Sequence, residues 1–118
     1  MRDYVALLHP HKDTLRYLCS SSNEEHTAHA SFEQLGENLA REIIAYVRTE
    51  KLLAPTTRVS FICHSFGSII SRVALTRPDL APLRPLLHTY ISFSGPHLGM
   101  LYSSNALVEI GMWGLRRC

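Results

Sequence analysis

Cys63-His64-Ser65-Phe66-Gly67 lies where an apolar strand pattern (Val59, Phe61, Ile62) gives way to an apolar helix pattern (Phe66, Ile69, Ile70, Val73). A serine at such a turn has its hydroxyl lifted above the sheet. The backbone N–H groups that follow it can then stabilise the negative charge developing on a reacting carbonyl. Ser65 is therefore the candidate nucleophile, and the Phe66 N–H is the candidate donor for half of an oxyanion hole. His64 adjoins the nucleophile, but neighbours on so sharp a bend point different ways, so it is expected to line or pack the site. Cys63 and Gly67 flank the bend as its packing positions. A Cβ at position 63 crowds the approach of strand to helix, where glycine would be the easier residue. A catalytic Cys63 is the alternative, but it would sit at a strand end with no assigned base.

Outward from the bend, the pattern alternates between strand and helix. From Ser31 onward, Phe32, Leu35, Leu39, Ile43 and Val47 fall at three- and four-residue steps, and Ser31 with Gln34 has the spacing of a capping box. Arg58 to Cys63 reads as a buried strand, Phe66 to Thr76 as a helix, and Leu80 to Leu87 as a connector broken by Pro82 and Pro85. His88 to Phe93 reads as another strand, ending at Ser94-Gly95-Pro96. Leu15, Tyr17 and Cys19 alternate ahead of a polar loop and read as a short strand, while Tyr4 to Leu8 reads as the tail of a helix ended by Pro10. Helix-length connections between strands imply parallel pairing, so the expectation is an α/β fold with three parallel strands and crossover helices. Such a sheet has open edges and resembles the middle of a larger one.

Composition narrows the function classes. The chain has 118 residues, 46% of them hydrophobic, and a formal net charge of +2. These values fit one globular domain and give no support for a nucleic-acid partner. The three cysteines, Cys19, Cys63 and Cys118, form no C-x-x-C pair and suggest neither a disulfide framework nor a zinc site. No apolar run approaches the roughly 20 residues a membrane span needs, and a cytoplasmic location is the default expectation. Neither a G-x-G-x-x-G nor a G-x-x-x-x-G-K motif follows a strand, so a nucleotide-binding module is disfavoured. No cofactor and no metal are expected. His9, His11, His26, His29 and His88 are not at metal-ligand spacing on a helix face.

A serine hydroxyl needs a histidine to take its proton and a carboxylate to orient that histidine. After Ser65 the candidates are Asp79, His88, His97 and Glu109. Asp79 follows the elbow helix and is therefore at the far end from its start. Glu109 reads as solvated. His97, in Gly95-Pro96-His97-Leu98-Gly99, follows a strand at its carboxyl end, where open α/β sheets place their ligands. It is expected to line the site and tie the loop to the elbow, with direct catalysis as the alternative.

Arg58 through Gly67, Ile69-Ile70-Ser71-Arg72, Leu75-Thr76-Arg77-Pro78, Leu87 through Tyr90 and Ser94 through Gly99 resemble a lipase-like serine esterase domain family of the α/β-hydrolase superfamily. The likeness takes in Ser22-Asn23-Glu24-Glu25, continues to Gly111-Met112-Trp113, and covers nearly the whole chain. It implies a partial α/β-hydrolase fold, hydrolysis of carboxylic esters, lipids among them, and Ser65 as nucleophile. Cys63 departs from the family pattern, which has glycine there. By the resemblance, the strand with the His-Gly oxyanion loop would precede Met1, and the later acid and histidine would follow Cys118. Residues 1–118 are thus expected to form one incomplete domain, matching the central portion of the family and inactive in isolation. The alternative is a noncatalytic remnant or a protein-interaction fragment whose partner proteins are unknown.

Overall fold

A computed structural model of the chain describes residues 14–24 and 30–96. Its elements run in the order α1 (Phe32–Thr49), β1 (Val59–His64), α2 (Gly67–Thr76), a 3-10 segment (Pro78–Leu86) and β2 (Leu87–Phe93). The expected Tyr4 to Leu8 helix tail lies outside the described residues.

Helix α1 starts where its capping box predicts. The Ser31 hydroxyl accepts the Gln34 N–H at 3.3 Å, and the Gln34 side chain accepts the Ser31 N–H at 3.1 Å. Glu33 lies in this first turn; hydrogen bonds from its own backbone N–H and from Ser31 hold its carboxyl below the ordinary value. At the other end Lys51 takes φ 52°, and the N–H groups of Lys51 and Leu52 return to the carbonyls of Arg48 and Val47. Those two bonds satisfy helix-end carbonyls in the manner of a Schellman motif.

Leu35, Gly36, Ala40 and Ile43 form the buried face of α1. Gly36 permits the close approach of α2. A Cβ placed on it would lie 2.5 Å from Val73 Cγ1 and 3.1 Å from the Ala74 backbone nitrogen. Ala40, Ile43, Ala74, Leu80 and Leu83 make up the core, with Val59 and Phe61 of β1 packed against it. The connector expected to be broken by prolines is a 3-10 segment, whose three residues per turn bring Leu80 and Leu83 inward together. Its Arg84 also finishes α2, donating to the carbonyls of Leu75, Thr76 and Arg77 at 2.8–2.9 Å. A cation there complements the negative end of the helix dipole.

Strands β1 and β2 pair in parallel, in register from Ser60 with Thr89 to His64 with Phe93, with an irregularity between Val59 and Ser60. The α/β class and the parallel pairing are as expected. The described sheet, however, has two strands rather than three. Leu15 to Cys19 is the difference, because that segment is irregular chain. Instead of pairing with a strand, its continuation is fastened to α1 through side chains. Glu42 accepts hydrogen bonds from the Ser20 hydroxyl and the Ser21 N–H, and Asn23 bridges the Leu35 carbonyl and Asn38. Burial would raise the Glu42 carboxyl, but the hydrogen bonds from Ser20, Ser21 and Ser22 outweigh it and leave the group below its ordinary value. Alternation at Leu15, Tyr17 and Cys19 is therefore only a local pattern.

Strand alternation sends Phe61 and Cys63 toward the helices, with Tyr90 and Ser92 beside them on β2. The opposite face carries Ile62, Ile91 and Phe93, which are 44%, 40% and 45% exposed, so no described element covers it. No helix among the described residues is long and apolar enough to cross a membrane.

Candidate active site

At the carboxyl end of β1 the chain bends through Ser65 with φ 52° and enters α2 by way of Phe66, at φ −60° and ψ −22°. The left-handed region is uncommon for a residue with a Cβ. Here it has two partners. The Ser65 N–H donates to the Phe93 carbonyl of β2 at 2.9 Å, so the bend is still attached to the sheet. Its carbonyl accepts both the Ser68 N–H at 3.1 Å and the Ser68 hydroxyl at 2.6 Å, which attach it to the first turn of α2.

Ser65, Phe66 and Gly67 are half-buried and His64 is exposed. The Phe66 ring rests against Phe32 of α1, with centroids 5.8 Å apart. No side chain caps the start of α2. The first N–H groups of a helix lack partners within it, so those of Phe66 and Gly67 form the positive end of the helix beside the Ser65 hydroxyl. A Cβ on Gly67 would meet no heavy atom within 4 Å, whereas one on Gly95 would collide with the hydroxyls of Ser68 and Ser92.

Beneath the bend lies a polar cluster. Cys63 is buried, and its Sγ is 3.2 Å from Ser71 Oγ. The Tyr90 hydroxyl donates to the Ser68 carbonyl at 2.6 Å and lies 2.7 Å from Ser71 Oγ. Burial of the phenol, reinforced by the neighbouring thiol, raises the Tyr90 pKa despite the opposing Ser71 hydrogen bond and Arg72 charge. Ser68 and Ser71 are 0% and 2% exposed. The sequence reading passed over Ser68, Tyr90 and Ser92. The local sequence offers only the three-residue spacing of Ser68 and Ser71 on α2, and their contact with Tyr90 is long-range.

The candidate partners of the serine stand elsewhere or fall outside the description. His88, at the far end of β2, has its Nδ1 2.8 Å from the Thr89 hydroxyl, and Asp79 is exposed beyond the far end of α2. Glu37 pairs with Arg41 at 3.3 Å, and Glu42 holds the serine loop. Among the described residues no histidine or carboxylate is hydrogen-bonded to the Ser65 hydroxyl. His97 and Glu109 lie outside the described residues. No group of His, Cys, Asp or Glu that could hold a metal ion occurs among the described residues.

At this turn a strand, a serine in left-handed geometry and a helix start without a side-chain cap follow one another directly. A family model described as "Putative serine esterase (DUF676)" matches residues 1–118, and the chain belongs to that family. No solved structure matches it.

Proposed function

We propose that Ser65 is the nucleophile of a carboxylic-ester hydrolase domain with an α/β-hydrolase type of elbow, and that lipid esters are among its substrates. The observation that carries this reading is the φ of 52° at Ser65, held between β1 and α2 next to a helix start with no side-chain cap. In the reaction, Ser65 Oγ forms a bond to the acyl carbon while its proton passes to a base. The alcohol departs with a proton, and water then cleaves the acyl-serine to give the acid. The Phe66 N–H faces the developing oxyanion, His64, Cys63 and Gly67 line or pack the turn, and a site-lining role is proposed for His97, which lies outside the described residues.

Proton transfer is the step for which the described residues offer no partner to Ser65. The 118-residue chain alone is expected to turn over a short-chain ester such as p-nitrophenyl butyrate only at the background rate, and Ser65→Ala to leave that rate unchanged. Turnover above background that disappears in Ser65→Ala would overturn the inactivity of the isolated chain while supporting the nucleophile.

A noncatalytic binding role is the second reading, and the uncovered Ile62, Ile91 and Phe93 favour it. The two separate on whether Ser65 reacts selectively with an electrophile, which a purely structural turn would not do.

A further inference from the structure

We infer that Ser68 is a positioning residue for Ser65, and that Tyr90 locks it in place from the neighbouring strand. The inference rests on the reading of Ser65 as nucleophile for its functional meaning, but its geometry stands independently. A left-handed serine persists only when its surroundings over-determine it. Ser68 supplies that constraint twice, through its N–H and its hydroxyl, both donated to the Ser65 carbonyl.

The Ser68 side chain has little freedom to do anything else. It is fully buried, and Gly95 packs so closely that any Cβ there would strike its oxygen. Its own carbonyl accepts the Tyr90 hydroxyl at 2.6 Å and the Ser71 hydroxyl at 3.2 Å. Tyr90 thereby connects β2 to the first turn of α2, and Phe93 of the same strand accepts the Ser65 N–H. The bend is clamped from both sides by one strand, at its amide directly and at its carbonyl through Ser68. Holding the peptide in this way fixes both the direction of the Ser65 Cα–Cβ bond, from which the hydroxyl projects, and that of the following Phe66 N–H. An enzyme that relies on preorganised donors needs that rigidity before substrate arrives.

The test is NMR on the full 118-residue chain, isotopically labelled, comparing wild type with Ser68→Ala, Tyr90→Phe and the core control Leu83→Ala. Two signals are read: the backbone couplings that report positive φ at Ser65, and exchange of the Ser65 amide relative to core amides. Losing a buried hydrogen bond is worth about a factor of ten in local opening. Ser68→Ala is expected to abolish the positive-φ signature and speed Ser65 exchange about tenfold relative to the core. Tyr90→Phe is expected to speed it in the same direction by a smaller factor. Leu83→Ala is expected to speed exchange across the core while keeping the signature.

Retention of the signature and of relative protection in both Ser68→Ala and Tyr90→Phe would overturn the inference. Should Ser68→Ala fail to fold, Tyr90→Phe decides alone, because its ring stays in place and only the donor is removed. No ester enters the measurement. An unreactive Ser65 would defeat the nucleophile reading without touching this result, and a bend that keeps its shape in both variants would defeat the lock without touching the nucleophile.

Discussion

At Ser65 the backbone adopts a conformation that costs an L-residue about 1–2 kcal/mol, and the residue keeps a side chain there. Glycine would relieve that strain, while its extra freedom in the unfolded chain would take back about 0.4–1 kcal/mol. Ser65→Gly is therefore expected to raise the unfolding free energy in urea by about 0.5–1 kcal/mol even as it removes the hydroxyl. A loss of stability in this variant would mean that the serine stands here for packing. Cys63 shows the limit of reading single positions. Its Cβ at the strand end warned of crowding, yet α2 presents the small Ser71 to it, and the thiol lies 3.2 Å from that hydroxyl. The bend at Ser65 could be found from the sequence because hydrophobic periodicity changes from two to three or four residues across it. Ser68 and Tyr90 could not, because the bond joining them spans 22 positions and depends on how strand and helix meet.

Among the elements, α1 was the most legible, since its cap, its periodicity and its end all lie in local sequence. The contact it makes was not. Gly36 looks like a flaw in a helix interior, where alanine would gain about 1 kcal/mol in propensity. Against Val73 and Ala74, however, a methyl group has no room. Gly36→Ala is expected to destabilise the chain by a net of about 1–3 kcal/mol, measured by urea denaturation, and a second change, Val73→Ala, to recover part of that loss. Stabilisation by Gly36→Ala alone would show that α1 and α2 can separate freely. The Leu15 to Cys19 segment illustrates the opposite error. Its alternation suggested a strand, but in the structure the chain that follows it hydrogen-bonds to Glu42. Alternation alone cannot supply a neighbouring strand, and strand character depends on one.

Across the whole molecule, the helices and the 3-10 segment share one side of a parallel strand pair, and the bend at Ser65 stands at its carboxyl end beside Ser94, which also has φ 52°. The α/β class and the parallel order were readable from alternating periods, and the number of strands in the sheet was not, because strand count is settled by long-range pairing. The central claim is that the architecture singles out one hydroxyl for reaction with an acyl or phosphonyl centre. A fluorophosphonate tests that claim with a single attack when imidazole is added as an external base to take the serine proton, and the donors at the start of α2 can stabilise the oxygen that becomes charged. The decisive measurement is peptide mass spectrometry of the 118-residue chain after such treatment. With imidazole present, one adduct is expected, on Ser65 and absent from Ser65→Ala; no adduct at Ser65, or equal modification of Ser94 and the exposed serines, would contradict the assignment.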